Sequence, residues 1–104
     1  MKQIEILFFA SCPGWQAAME RVQQVVAEEG LDDGVAVRAI PVETEHEAVR
    51  LQFLGSPTVR IDGRDVDPTA SSKTTFGLQC RLYDNAGRIE KVPSSDMIRR
   101  ALRL

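Results

Sequence analysis

Residues 4–15 read Ile4-Glu5-Ile6-Leu7-Phe8-Phe9-Ala10-Ser11-Cys12-Pro13-Gly14-Trp15. The run from Ile4 to Phe9 is short, apolar and rich in β-branched and aromatic side chains, which predicts a buried strand. Proline suits the first position of a helix, because its missing N–H would be unpaired there anyway. Placing Pro13 at that position makes Cys12 the N-cap. Trp15, Ala18, Met19, Val22, Val25 and Val26 then recur at helical spacing and give the helix one apolar face. Gly30 ends it. A strand therefore runs straight into a helix, with a cysteine at the junction.

Downstream, the order of elements can be followed outward from this unit. Val35 to Ile40 predicts a second strand, stopped by Pro41. Thr44-Glu45-His46-Glu47 is a capping box, with Thr44 capping and Glu47 reaching back. Ala48, Leu51 and Leu54 supply that helix with an apolar side, and Gly55 closes it. In Ser56-Pro57-Thr58-Val59-Arg60-Ile61, Val59 and Ile61 alternate with polar neighbours, and Asp62-Gly63 is a strong hairpin turn. Residues 67–77 are polar and rich in Ser and Thr, which predicts a long surface loop of the kind that often serves as a lid or binding loop. Leu78 to Tyr83 predicts a further strand, followed by a turn at Asp84-Asn85-Ala86-Gly87. Ser94 or Ser95 caps a last helix with Ile98, Ala101 and Leu102 turned inward. Arg99, Arg100 and Arg103 lie near its C-terminus, where cations suit the helix dipole. The order is β-α-β-α-β-β-α in one α/β domain over residues 1–104.

Composition fits that size. The chain has 104 residues, 43% of them hydrophobic and 27% charged, with a net charge of −2. This is the ordinary balance of a globular domain with its own core. The charge advertises neither a nucleic acid nor an anionic membrane as partner. The first apolar run is too short to span a bilayer and Glu5 interrupts it. Two cysteines, Cys12 and Cys80, are too few for a secreted disulfide scaffold and predict a reducing compartment, hence a cytoplasmic protein. No phosphate loop, zinc-ligand cluster or Ser-His-Asp arrangement is visible, so no cofactor or metal is expected.

Cys12-Pro13-Gly14-Trp15 stands between a first strand and a first helix, and Ser56-Pro57-Thr58 stands between a second helix and a third strand. In this order and at this spacing the pair of motifs resembles the thioredoxin-like superfamily, over roughly residues 2–66 plus the last helix. The resemblance implies a three-layer sandwich, with a redox Cys-x-x-Cys at the first place and a cis-proline at the second. Trp15 replaces the second cysteine, so no dithiol cycle is available within the motif. The stretches 53–66 and 77–83 are also similar to a bacterial group of small thioredoxin-like proteins, some labelled alkylmercury lyase and some occurring as selenoproteins.

The candidate chemistry follows from these residues. A thiol reacts as the thiolate, and a helix N-terminus favours that form through its partial positive charge and unpaired N–H groups. Cys12 is thus the expected nucleophile, against the plainer reading of a small buried side chain in a turn. The resemblance implies a cis Ser56–Pro57 bond that turns the Ser56 backbone toward Cys12 and shapes a substrate groove with Pro13, Trp15 and Thr58. Trp15 is otherwise a core aromatic.

Cys80 has three readings: a resolving thiol for Cys12, a second soft ligand for mercury, copper(I) or zinc, or a small core residue. The alternation of Leu78, Cys80 and Leu82 on one face favours the last. His46 is expected exposed and idle. Asp62, Asp65 and Asp67 read as hairpin and edge charges, and Arg60, Arg64 and Arg81 as solvated surface cations. Three functions compete. One is monothiol redox or adduct chemistry at Cys12 with a protein or glutathione thiol or disulfide as partner. The others are soft-metal or organomercurial binding or cleavage by Cys12 with Cys80, and a binding module without chemistry.

Overall fold

A computed structural model describes residues 2–104. The predicted first strand is β1 (Lys2–Phe8), and the chain then turns into α1 (Trp15–Glu28). β2 (Val35–Pro41), α2 (Glu45–Arg50), β3 (Thr58–Ile61) and β4 (Arg64–Asp65) follow. A 3-10 helix, Pro68–Ser72, precedes a small hairpin of β5 (Tyr83–Asn85) and β6 (Arg88–Glu90), and the chain ends in α3 (Ser95–Leu102). The main sheet has four strands in the order β2-β1-β3-β4. β1 runs parallel to β2 and antiparallel to β3, with Ile6 opposite Val59 and Leu7 opposite Thr58. The fold is mixed α/β, with three α-helices around this sheet.

Period-two alternation along β1 divides the core. Ile4 and Ile6 point to one face, where they pack with Ala18, Val22 and Val25 of α1, Val59 and Ile61 of β3, and Ile98 and Leu102 of α3. Leu7 points to the other face and packs with Val42, Ala48 of α2 and Phe53. Thr44 caps α2 as expected, while Glu47 reaches back to Glu43 N at 3.2 Å and not to Thr44, and Ser94 is the serine that caps α3. Thr44 Oγ1 accepts from Glu47 N at 3.1 Å and Ser94 Oγ from Met97 N at 3.1 Å. The Asp62-Gly63 turn joins β3 to β4 with both residues at positive φ, 51° and 82°. Two adjacent positive φ values match the right-handed twist of the strands they join.

Three local expectations change. Cys12 is not the N-cap. Its N–H donates to Phe9 O at 2.9 Å, closing a tight turn, and the helix instead starts after Gly14, whose φ of 107° only glycine adopts cheaply. Pro13 accordingly precedes the helix instead of opening it. The loop after β4 is not featureless, because Asp67 caps the 3-10 helix by accepting from Thr69 N at 2.9 Å. The strand expected at 78–83 does not form as such. Only Cys80 makes a bridge, to Ser56, and regular pairing begins at Tyr83. Its inward face is also reversed. Arg81 and Tyr83 are buried, whereas Cys80 is exposed and Leu82 is 59% exposed.

The reason for the reversal is electrostatic. The Arg81 guanidinium donates from Nη1 to Asp65 Oδ2 at 2.7 Å and from Nη2 to Asp65 Oδ1 at 2.9 Å. A two-pronged ion pair of this kind makes burial of an arginine affordable, which hydrophobic patterning cannot register. Tyr83 then fills the core beneath it and donates its hydroxyl to Pro57 O at 2.6 Å.

Candidate functional site

The site lies where β1 ends and β3 begins. The turn after β1 carries Cys12, and the segment before β3 carries Gly55, Ser56 and a cis Ser56–Pro57 peptide bond. A third piece of chain, residues 77–82, lies across them as a strap. Ser56 N donates to Gln79 O at 2.8 Å, and Arg81 N donates to Ser56 O at 3.0 Å. Between those two anchors Cys80 is joined to Cys12 in a disulfide, with their Cα atoms 5.9 Å apart and a sequence separation of 68. Cys80 is therefore a partner of Cys12, and not the small core residue that alternation favoured.

The two sulfur-bearing residues differ in access. Cys12 is 3% exposed, and its Sγ lies 3.8 Å from Ser56 O. Cys80 is an exposed residue and lines a shallow cavity of about 410 Å³ with Leu54, Lys73, Thr74, Gln79 and Leu82, which Cys12 does not reach. A larger open depression, about 1060 Å³, runs past β3, β4, the 3-10 helix and α3, and neither cysteine lines it.

The strap is held from beneath by Arg81. Besides Asp65, its guanidinium reaches Thr58 Oγ1 at 3.2 Å and Asp67 Oδ2 at 3.8 Å, and its Cζ stacks 4.3 Å from the centre of the Tyr83 ring. Burial by itself lowers the Arg81 pKa, but the Asp65 hydrogen bonds and surrounding negative charge outweigh it, so the group is held above its ordinary value. Tyr83 is pushed well above the usual phenol range, chiefly by burial. Asp67 is opposed by burial, yet the two Thr69 hydrogen bonds, with Lys73 and Arg81 nearby, hold its carboxyl below the usual value. Arg60 is lowered chiefly by burial and donates to Leu51 O at 2.7 Å and Gln52 O at 3.0 Å, in the turn that follows α2.

Gly55 completes the strap's seat. Its φ is 120°, and a Cβ there would stand 2.9 Å from Gln79 O and 3.0 Å from Arg81 Cβ. Only the absence of a side chain lets the strap lie this close.

The expected groove residues fall into two groups. Ser56, Pro57 and Thr58 are buried, with both backbone polar groups of Ser56 bonded to the strap and Thr58 Oγ1 donating to Gly55 O at 2.6 Å. Ser56 Oγ is buried without a hydrogen-bond partner. Pro13 is exposed, and Trp15 is half-buried with its ring stacked on Phe8 at 4.1 Å. His46 is exposed and far from this cluster in role, as its place in the capping box implies. Among the described residues no group of three or more His, Cys, Asp or Glu is placed to hold a metal ion. Arg81, Asp65, Asp67 and Tyr83 are the residues that sequence reading missed. Their one signal was an arginine and a tyrosine sharing a face, and that face looked like the outer one.

No known protein-family profile matches the chain, and no curated protein matches it. Among the described residues no helix is long and apolar enough to cross a membrane.

Proposed function

We propose that this protein is a thioredoxin-like thiol–disulfide redox protein that cycles between a Cys12–Cys80 disulfide and the dithiol. The observation that carries the reading is the disulfide itself, which joins the β1–α1 turn to a strap seated on Ser56 beside a cis-proline. The missing second cysteine of the local motif is replaced by one brought in from 68 residues away. The order of elements in the main sheet and the two motifs at its end support the thioredoxin-like arrangement. Its partners are thiols or disulfides of proteins or of glutathione. In a reducing cytoplasm the dithiol would be the resting form and the disulfide the transient one.

A soft-metal reading keeps one specific support. Reduction would leave two thiols on residues whose Cα atoms are 5.9 Å apart, close enough to share a two-coordinate thiophilic ion. The redox reading is separated from it by thiol–disulfide exchange. The reduced protein should reduce a small aromatic disulfide at least about tenfold faster than an unstructured cysteine peptide does, a rate set by thiolate fraction and access. Loss of either cysteine should remove the two-electron stoichiometry. Exchange no faster than the peptide, together with one-to-one mercury(II) binding by the reduced pair, would favour the metal reading.

A further inference from the structure

We infer that Cys80, and not Cys12, is the sulfur that meets the substrate, and that Cys12 is the buried resolving thiol. The inference rests on the redox reading and reverses the roles that the position of Cys12 suggests.

Access comes first. Cys12 is 3% exposed, under the strap, whereas Cys80 is exposed and lines its own cavity. Exchange requires an incoming sulfur to approach the attacked one along the S–S axis, and a covered sulfur offers no such approach. The surroundings of Cys12 point the same way. The helix N-terminus that would favour its thiolate begins beyond Gly14, and the Ser56 carbonyl oxygen lies 3.8 Å from Sγ. A carbonyl oxygen accepts from S–H and repels a thiolate. It therefore suits a thiol that holds its proton until a mixed disulfide arrives.

The strap explains why the arrangement outlasts the disulfide. On each side of Cys80, Gln79 O and Arg81 N are bonded to Ser56, and the Arg81 side chain is locked to Asp65, Thr58 and Tyr83. None of these contacts passes through sulfur. With the disulfide opened, they hold Cys80 over Cys12 and keep Cys12 covered. Lys73 and Thr74 on the cavity wall suit a small disulfide carrying carboxylates.

The Cys80 thiolate attacks one sulfur of a substrate disulfide RSSR, whose S–S bond breaks, and one RS⁻ leaves with the electron pair. The mixed disulfide Cys80–S–S–R forms. Cys12 then attacks Cys80 Sγ, forms the Cys12–Cys80 bond and expels the second RS⁻, which takes up the Cys12 proton and leaves as RSH. The substrate gains two electrons, and the protein dithiol loses them.

Glutathione disulfide provides the probe. Cys12→Ser and Cys12→Ala, which keep Cys80, are compared with Cys80→Ser, and formation of the glutathione adduct is followed by intact mass. Both Cys12 variants are expected to form the adduct at least about tenfold faster than Cys80→Ser. Two Cys12 substitutions guard against a folding defect in one of them, and far-UV circular dichroism checks each fold. Equal rates, or a faster Cys80→Ser, overturn the assignment while leaving the redox reading standing. Adduct on neither variant also overturns it, and in that case the exchange rate of the reduced wild-type protein decides the redox reading separately.

Discussion

At the scale of single residues, the place of Cys12 at the end of β1 was legible, while its setting and its pairing with Cys80 were not. Pro13 suggested a helix start one residue after Cys12, but Gly14 adopts the backbone angle that actually opens the helix. A positive-φ glycine and a helix-initiating proline compete for the same turn, and local patterning does not rank them. Arg81 was legible only as a charge, since its burial depends on Asp65 and Asp67, 16 and 14 residues earlier. Asp67 carries a prediction of its own. Its carboxyl is held below the usual value when folded. It therefore contributes stability that is fully present above the unfolded value of about pH 4 and is lost as pH falls through the folded one. In Asp67→Asn this acid-limb loss should shrink, as measured by urea midpoints between about pH 5 and pH 2.5. An unchanged pH profile in the variant would contradict the assignment.

At the scale of elements, β1, α1, β2, α2, the β3–β4 hairpin and α3 were legible, because each has a clear period or a capping side chain. β1 is a short apolar run, β3 alternates, α1 has its apolar stripe, Thr44 caps as expected, and Ser94 is the one of two candidate serines that caps α3. The strap was not legible. It is neither helix nor strand, and its position comes from long-range bonds: two backbone bonds to Ser56, one from Gly77 N to Phe53 O, one from Leu78 N to Glu45 Oε1, and the Arg81 ion pair. Residues 78–83 alternate in hydrophobicity, but the face that the alternation marks as inward is the one turned out. Gly55 gives this element a direct test. Gly55→Ala adds a Cβ 2.9 Å from Gln79 O on a backbone angle that strains any other residue. Such strain is on the order of 1–3 kcal/mol. Displacing the strap should relieve it, which weakens disulfide closure about tenfold or more against a glutathione buffer. It should also raise the alkylation rate of Cys12 in the Cys80→Ser background. Unchanged closure and unchanged Cys12 reactivity would mean that the strap is not seated on Gly55.

At the scale of the whole molecule, the disulfide links the end of β1 to a segment that reaches the core through Leu78 and Arg81 and leads into the buried Tyr83. Cross-linking residues this far apart removes unfolded-state entropy worth about 4 kcal/mol on the chain-entropy view. The folded frame favours closure for the same reason. Whether closure serves chemistry or only stability is a question of potential. Structural disulfides are reduced only below about −300 mV, whereas cycling pairs lie within reach of cellular thiols, at about −120 to −270 mV. The decisive measurement is a redox titration of the wild-type protein in glutathione and dithiothreitol buffers, with the Cys12–Cys80 pair read by alkylation and intact mass. A reversible two-electron transition at about −270 mV or above is the predicted result. A pair that stays fully oxidised down to about −300 mV or lower would contradict a cycling role and leave a structural cross-link.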